Sequence, residues 1–205
     1  MTSLDLPAPG SAAACERADA ARNREHLLVT ARAMLAEVGV DGLTMDGLAR
    51  AAGLGKGTIF RRFGSRAGLL RELLNDSEMT FQEGFFSGPP PLGPGAEPVE
   101  RLVAFGRERL RLVTVQGDLL RSVEAEAEHR YSAPAHAASA MHVQVLLGQA
   151  GVDGDLQVLT LTLLSSLDAA LVLYETRDLR IDLDRLADGW EDLVRRVTAA
   201  GSLEA

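Results

Sequence analysis

Apolar residues recur along most of the chain at the spacing of one face of an α-helix. The first such run ends at Gly39, and glycine commonly terminates helices. In an amphipathic helix the positions i, i+4, i+7 and i+8 lie on the side that packs against the core. The residues predicted to form this buried face are Leu27, Leu28, Ala31, Met34, Leu35 and Val38.

Two short helices separated by a glycine turn are predicted next. Thr44 is the N-cap candidate for the segment MDGLARAA, because a threonine oxygen can accept a backbone N–H of the first turn. Gly53 ends this helix after about two turns. A third, very short helix is predicted from about Lys56 to Arg62. The residues predicted to face inward are Leu48, Ala49, Ala52, Ile59 and Phe63.

The rest of the chain is also predicted to be helical. A longer helix follows Gly64-Ser65, and the run SGPPPLGPGAEP at residues 87–98 interrupts it, because proline removes a donor and clashes within a helix. No alternating β-branched run occurs, so the prediction is an all-α fold of about nine helices. The later helical segments are predicted at Val99–Val115, Leu119–His129, Ala135–Gln149, Leu156–Thr176 and Leu183–Thr198.

The segment from Leu156 to Tyr174 is apolar around most of its circumference and is nearly long enough to span a bilayer. Asp168 would be costly near the middle of such a span, which favours a helix buried on all sides. A second copy of the chain could cover one side. We therefore expect a homodimer formed by this segment and the last helix. The predicted interface residues are Leu167, Leu171, Leu186, Trp190, Leu193 and Val197.

Composition places the chain among globular proteins. Its 205 residues are 46% hydrophobic and 24% charged, which excludes disorder over most of the length. A single cysteine, Cys15, excludes an internal disulfide framework and fits a reducing compartment. With no basic and then apolar leader pattern at the start, we expect a cytoplasmic protein.

The net charge of −8 is unevenly distributed. Residues 16–75 carry ten Lys and Arg against seven acidic residues, a net of +3, whereas residues 76–205 carry eleven Arg against 21 acidic residues, a net of −10. A basic segment joined to an acidic body indicates that the first part meets an anionic partner. Chance unevenness would give similar numbers, so charge alone leaves nucleic-acid binding open.

Residues 44–63 have the organisation of a helix-turn-helix unit. The second helix of such a unit can enter a DNA major groove while the first crosses the phosphate backbone. Gly55 and Gly57 would let the start of the second helix approach DNA closely, and its free N–H groups favour phosphate there. Any helical protein can contain two helices joined by glycine, but this pair lies in the basic segment. The polar candidates for DNA contact are Lys56, Thr58, Arg61, Arg62 and Arg66.

A nucleotide-binding loop is the alternative interpretation of GLGKGT. The phosphate-cradling pattern needs glycine where the chain has Arg50 and a hydroxyl residue where it has Gly57. The dinucleotide pattern matches Gly53 and Gly55 but meets Thr58 at its last position. Both patterns also require a preceding strand, whereas a helix is predicted here.

The segment from Arg22 to Leu74 resembles the DNA-binding domain of TetR-family transcriptional regulators. The resemblance rests on a first helix that ends at Gly39, the cap at Thr44, and the motifs LARAAGLGKGTIFRRF and GSRAGLL. Three departures concern the residues around the second helix of the motif, where Gly55, Phe60 and Arg62 replace a frequent serine, tyrosine and histidine. The resemblance implies that DNA is lined by Thr44, Gly55, Lys56, Gly57, Thr58, Phe60, Arg61, Arg62 and Arg66.

The resemblance also implies a homodimeric repressor that a small molecule bound in the C-terminal domain releases from its operator. Residues 1–15 are rich in Pro, Ala and Ser without an apolar period, which predicts a disordered tail. The resemblance divides the rest into a helix-turn-helix DNA-binding domain (16–75) and a helical ligand-binding and dimerisation domain (76–205). Each candidate ligand residue could also be ordinary core, although buried charges at Arg109 and Asp168 would need partners. These candidates are Phe81, Phe85, Leu102, Phe105, Arg109, Met141, Leu164, Asp168 and Tyr174.

Metal and enzyme chemistry find little support in the sequence. His129, His136 and His142 do not share the i, i+4 spacing that places two imidazoles on one helix face, and we expect them on the surface. No nucleophile arrangement or carboxylate pair stands out, so neither a metal, a cofactor nor a catalytic activity is predicted. A helical interaction module without DNA binding remains the alternative to a regulator.

Overall fold

A computed structural model describes residues 9–123 and 134–200, which are mostly helical and contain no β-strand. The predicted all-α fold is confirmed: a helix-turn-helix unit precedes a larger helical part. Two compact units, Met1–Leu73 and Leu74–Ala205, divide the chain within the fourth helix. The helices are α1 (Pro9–Gly42), α2 (Met45–Ala51), α3 (Lys56–Phe63), α4 (Arg66–Ser87), α5 (Pro98–Val123), α6 (Pro134–Gln149), α7 (Leu156–Ser165), α8 (Ala169–Leu173) with a π-helical turn at Tyr174–Asp178, and α9 (Leu183–Ala200).

Helix α1 begins earlier than the sequence pattern predicts. Residues 9–15, expected to be an irregular tail, are helical, because this alanine-rich stretch has a high helix propensity; residues 1–8 lie outside the described ranges. Gly39 interrupts the helix at the expected position with φ of 70°, which glycine adopts without strain. Val38, immediately before this interruption, is 50% exposed and does not join the predicted buried face.

Local hydrogen bonds shape the α2–α3 unit as the sequence predicts. The Thr44 hydroxyl accepts the backbone N–H of Gly47 at 3.0 Å and caps α2. Gly53 turns the chain with φ of 67°, and the N–H of Leu54 donates to the carbonyl of Ala49. The buried residues of the two helices are Met45, Leu48, Ala49, Ile59 and Phe63, whereas Ala52 is only half-buried.

Helix α5 is continuous where the sequence predicts a break. Gly117 is an unfavourable residue inside a helix, but tertiary packing overrides this preference. A Cβ atom at Gly117 would collide with Arg177 and Leu173, so the glycine permits α5 to lie directly against the α8 segment. At Gly106 a Cβ would overlap the Trp190 ring, which gives α9 the same close approach. The predicted helix over residues 119–129 is thus the end of α5, and residues 124–129 lie outside the described ranges.

The long apolar segment that begins at Leu156 is not one helix. The chain breaks at Ser166–Asp168, and the Asp168 carboxylate accepts the N–H groups of Ala170 and Leu171 to start α8. By length and hydropathy the stretch Leu156–Asp178 could cross a membrane, and core helices of soluble proteins pass the same test. An interior break capped by a carboxylate favours the core interpretation.

The C-terminal unit has one large apolar core. Its residues come from α4 through α9, and it is rich in aromatic rings at one end. Trp190 is 3% exposed and donates its Nε1–H to the carbonyl of Leu102 at 3.0 Å. Among the buried residues of this core are Phe81, Phe85, Leu102, Phe105, Leu110, Val113, Val143, Leu146, Leu167, Val172, Trp190 and Val194.

Candidate nucleic-acid interface

Helix α3 presents most of the predicted DNA-contacting residues on its surface. Its two buried residues, Ile59 and Phe63, hold it against the N-terminal unit, while Phe60 is 47% exposed. Arg61 and Arg62 are exposed in its last turn. The arrangement combines a large apolar side chain and two cations on the outer face of one short helix.

The start of α3 is open. Gly55 is the N-cap and provides no side-chain hydrogen bond, and no atom lies within 4 Å of where a Cβ at Gly55 or Gly57 would stand. The first backbone N–H groups of a helix point outward and attract anions. The half-buried side chain of Thr58 follows them directly.

Lys56 is exposed but already has an anionic partner. Its Nζ lies 2.5 Å from the Asp46 carboxylate in the first turn of α2, and the two side chains are 66% and 49% exposed. An exposed pair of this kind contributes at most about 1 kcal/mol to stability. Lys56 can therefore exchange Asp46 for a phosphate or a base edge at small cost.

Two of the predicted contact residues have structural partners in the N-terminal unit. Thr44 caps α2, as described above. The Arg66 guanidinium donates from Nε to the carbonyl of Leu43 at 2.9 Å and from Nη2 to the carbonyl of Val40 at 2.5 Å. Arg66 thus supplies donors to carbonyl groups at the end of α1, and the spacing of residues along the chain could not distinguish that role from a phosphate contact.

A second polar contact in this unit was not predicted from the sequence. The Arg24 guanidinium donates to one carboxylate oxygen of Glu72, from Nη2 at 2.8 Å and from Nε at 3.2 Å. The partners are 48 residues apart and join α1 to α4. No local pattern in the sequence could have paired them.

A family model described as "Bacterial regulatory proteins, tetR family" matches residues 27–73. These residues include the end of α1, the α2–α3 unit and the first turns of α4. This part of the chain is therefore similar to the DNA-binding segment of tetR-family regulatory proteins. The match covers the segment that contains the exposed face of α3.

Solved structures of TetR-family proteins share the fold beyond this segment. A Rhodococcus sp. protein described as a TetR-family transcriptional regulator has a TM-score of 0.62 at 19% identity, over 87% of this chain and 99% of that one. PfmR from Thermus thermophilus has a TM-score of 0.54 at 20% identity, over 83% of this chain and 97% of that one. AibR, solved with isovaleryl coenzyme A and operator DNA, has a TM-score of 0.52 at 20% identity, with the same coverages. A comparison with curated proteins returns no match.

The C-terminal unit brings several predicted ligand residues together. The rings of Phe81, Phe85 and Phe105 have centroids 5.1–5.5 Å apart, and all three are buried with Leu102. The Arg109 guanidinium stands 5.8 Å from the centroid of Phe81. In the structure these residues form a packed aromatic core.

Other predicted ligand residues are placed elsewhere. Met141 and Tyr174 are 56% and 52% exposed and lie outside that core. The partner that Arg109 was expected to need is Glu78, one helix away, with which it forms an ion pair. Asp168 caps α8, and Leu164 is half-buried at the edge of the core.

His142 is a buried residue, contrary to the surface position expected for it. It is 6% exposed and its ring stacks on Phe85 at 4.4 Å. Burial, together with the positive charge of Arg101, lowers the pKa of His142 to about 4. His136 is half-buried and His129 lies outside the described residues, among which no group of three potential metal ligands occurs.

The predicted dimer residues fall into two sets. Trp190 and Leu167 are each 3% exposed and belong to the core of their own unit, so their assignment to a surface contact is wrong. Leu171 and Leu193 are 41% and 37% exposed, and Leu186 and Val197 are half-buried at the core edge. Helical periodicity identified the apolar stripe but could not tell a core contact from a subunit contact.

A surface groove of about 590 Å³ lies along α5 and the Pro89–Pro91 segment. Its arginines have acidic partners: Arg107 contacts Asp188 and Glu191 at 2.7 and 2.8 Å. None of the predicted ligand residues lines this groove. We therefore do not assign the effector to it.

Proposed function

We propose that this protein is a sequence-specific DNA-binding repressor and not an enzyme. The observation that carries the proposal is the exposed part of α3, where the N-terminus led by Gly55 is open and Lys56, Phe60 and Arg61 are all exposed. Arginine and lysine recognise guanine edges and phosphates, and an exposed aromatic ring can contact a thymine methyl group. Inserted into a major groove, α3 would contact both bases and backbone.

The proposal includes a homodimer. Two α3 helices bind successive major grooves when they lie about 34–36 Å apart. The surface offered for a second copy consists of exposed apolar residues on consecutive helices of the C-terminal unit, since such patches mark protein contacts. These residues are Met141, Val145, Val158, Leu161, Leu171 and Leu193.

An effector bound in the C-terminal unit would regulate DNA binding by favouring a state in which the two α3 helices are spaced incorrectly. AibR was solved with both an acyl coenzyme A and operator DNA, which supports a fold that accommodates both kinds of partner. In this scheme the protein acts in the cytoplasm, where DNA and small metabolites are both accessible.

Operator affinity tests the assignment of α3. Lys56→Ala and Thr58→Ala should each weaken binding to a promoter fragment by about 1–3 kcal/mol if they contact bases. The matched control is Arg196→Ala, which removes an arginine that is 76% exposed in the C-terminal unit and should leave affinity unchanged. Unaltered affinity in both α3 variants would remove the assignment.

Oligomeric state tests the dimer. Leu171→Glu and Leu193→Glu should yield folded monomers in sedimentation equilibrium that bind a half-site but lose affinity for the full operator. Val115→Glu, at a side chain 85% exposed on α5, is the control and should stay dimeric. Monomeric wild-type protein with full operator affinity would contradict the symmetric arrangement.

A helical interaction module is the second candidate function. It would account for the exposed apolar residues, but not for the cations on α3. Titration of promoter fragments at two salt concentrations separates the two, because a DNA-binding protein loses affinity steeply as counterion release becomes less favourable.

A further inference from the structure

Two buried nitrogen atoms of the C-terminal unit lack a hydrogen-bond partner. They are the Nε of Arg101 and the Nε2 of His142, and within the described residues the only comparable side-chain atom is the hydroxyl oxygen of Thr160. Protein interiors pair nearly all such groups, so an orphaned donor calls for an explanation such as a ligand or a water molecule. Here two of the three orphans belong to side chains that both contact Phe85.

Phe85 connects the two side chains. Arg101 donates from Nη2 to the Phe85 carbonyl at 3.0 Å, while the Phe85 ring stacks on the His142 imidazole with an interplanar angle of 30°. The Arg101 charge also acts on the imidazole and helps to keep it neutral. The guanidinium thus keeps an unpaired Nε–H, and the neutral imidazole can carry its proton on the unpaired Nε2.

The surroundings of the pair are aromatic on several sides. The Phe105 ring lies 5.5 Å from the imidazole, and the Phe86 ring lies 6.1 Å from it. Phe86 is 46% exposed, so it joins the buried pair to the surface. A ligand could enter past Phe86 by displacing one partly exposed side chain.

The chemistry of the two donors selects the ligand. A cation is disfavoured beside a guanidinium, and a neutral amide would leave the arginine charge uncompensated in an apolar site. A carboxylate accepts two N–H bonds at once, and charge-assisted bonds of this kind are the strong ones. The aromatic walls then suit an apolar body attached to that carboxylate.

We propose that Arg101 and His142 bind the carboxylate of a small apolar acid, with Arg101 Nε–H and His142 Nε2–H as its donors. The inference rests on the proposed function, because the acid can act as an effector only if the protein regulates transcription by binding DNA. Binding itself depends on the C-terminal unit alone. The residues that hold the acid differ from most of the predicted ligand set, in which only the aromatic wall is retained.

Ligand-dependent thermal unfolding of the full chain tests the site without DNA. Butanoate, hexanoate and octanoate serve as probes, each against the primary amide of the same length. A ligand that binds the folded state alone raises the melting temperature in a saturable way. We expect at least one acid to bind about tenfold or more tightly than its amide, as charge-assisted bonds would require.

Substitutions at the two donors test which side chains cause the preference for acid over amide. Arg101→Met and His142→Phe should each reduce the preference for acid over amide to about one, whereas His142→Gln, which keeps an N–H donor, should retain part of it. Arg111→Met is the control, since Arg111 lies on the same helix but is 63% exposed and pairs with Glu108. If a variant fails to fold, nuclear magnetic resonance of the wild-type protein still tests the site. The imidazole resonances of His142 should shift when the acid is added and not when the amide is added.

Two results would overturn the proposal: equal binding of every acid and its amide, or an Arg101→Met protein that binds the acid like the wild type. Either result would leave water as the partner of the two nitrogens. Because these titrations contain no DNA, their failure is distinct from a failure of operator binding, which would instead remove the regulator interpretation.

Discussion

Both units of the molecule bury apolar residues, but they differ in the additional contacts that join their helices. In the N-terminal unit, short helices are joined by polar contacts to the backbone: Thr44 caps α2, and Arg66 donates to carbonyls at the end of α1. The C-terminal unit is held by apolar and aromatic packing, and glycines allow helices to approach closely, as Gly106 does for Trp190. The first unit leaves Lys56, Arg61 and Arg62 exposed, while the second encloses polar groups such as His142.

Because of this difference, a binding partner affects the stability of the two units to different extents. A surface cation such as Lys56 contributes little to folding, so the N-terminal unit can present charge to a partner without loss of stability. The interior polar groups of the C-terminal unit are costly unless they are satisfied, so a ligand that satisfies them alters the stability of that unit. The first property suits contact with DNA, and the second suits control by a small molecule.

The largest expected effect concerns apolar packing in the C-terminal unit. Trp190→Ala should lower its free energy of unfolding by about 3–5 kcal/mol, because the variant leaves a cavity and the Leu102 carbonyl loses its donor. Urea unfolding followed by far-ultraviolet circular dichroism measures the change. Val115→Ala, at an exposed site, should change stability by less than about 0.5 kcal/mol. A stable but monomeric Trp190→Ala protein would restore this residue to the dimer interface.

The second effect is pH dependence in the same unit. The pKa of His142 falls from 6.5 to about 4 on folding, chiefly because the imidazole is buried. Between these values the unfolded chain binds a proton that the folded chain does not, so stability falls as the pH falls, by up to about 3 kcal/mol.

Comparison of the wild type with His142→Phe isolates this term. The variant should lose less stability between pH 6.5 and 4, as measured by urea unfolding at each pH. Burial raises the pKa of Glu175, which acts in the opposite direction, but it does so in both proteins and cancels in the difference. Parallel pH profiles would show that His142 is not the titrating group.

The third effect divides the arginines of the N-terminal unit. Arg66→Ala should lower its stability by about 1–3 kcal/mol, because two half-buried carbonyls lose a charged donor. Arg61→Ala should leave the melting temperature unchanged, weaken DNA binding and reduce the slope of log affinity against log salt by about one. The opposite pattern would assign Arg66 to DNA and Arg61 to the fold.

The smallest effect concerns the exposed ion pair. Asp46→Asn should change stability by less than about 1 kcal/mol, since both side chains are exposed. It should nevertheless tighten binding to non-operator DNA, because Lys56 no longer has to leave an anionic partner. Fluorescence anisotropy with unrelated duplexes measures this gain, and unchanged affinity would mean that the pair does not restrain Lys56.

The same contrast explains what could be predicted from the sequence. The N-terminal unit depends on local rules: a cap at Thr44, a turn at Gly53 and an interruption at Gly39 are each encoded within a few residues, and all three occur in the structure. The contacts of Arg66 and Arg24 escaped prediction because they join residues far apart in sequence.

In the C-terminal unit, periodicity predicted helices but not their partners. The sequence pattern predicted a break between Val115 and Leu119, yet Gly117 lies within a continuous α5 and permits the close approach of Arg177 and Leu173. Trp190 has the spacing of an interface residue, but lies in the core. His142 gave no sign of burial, because the rings around it come from two other helices, α4 and α5. The positions of these three residues depend on packing between segments that are distant in sequence. Local periodicity carries no information about that packing.

The open space around Gly55 and Gly57 has a consequence for how such a protein could acquire new specificity. Because a Cβ atom at either position would meet open space, we expect side chains to be tolerated there. Libraries randomised at the two sites should yield well-folded members that differ in the duplex they select. The proposed DNA-contacting surface could then change while the rest of the fold is retained.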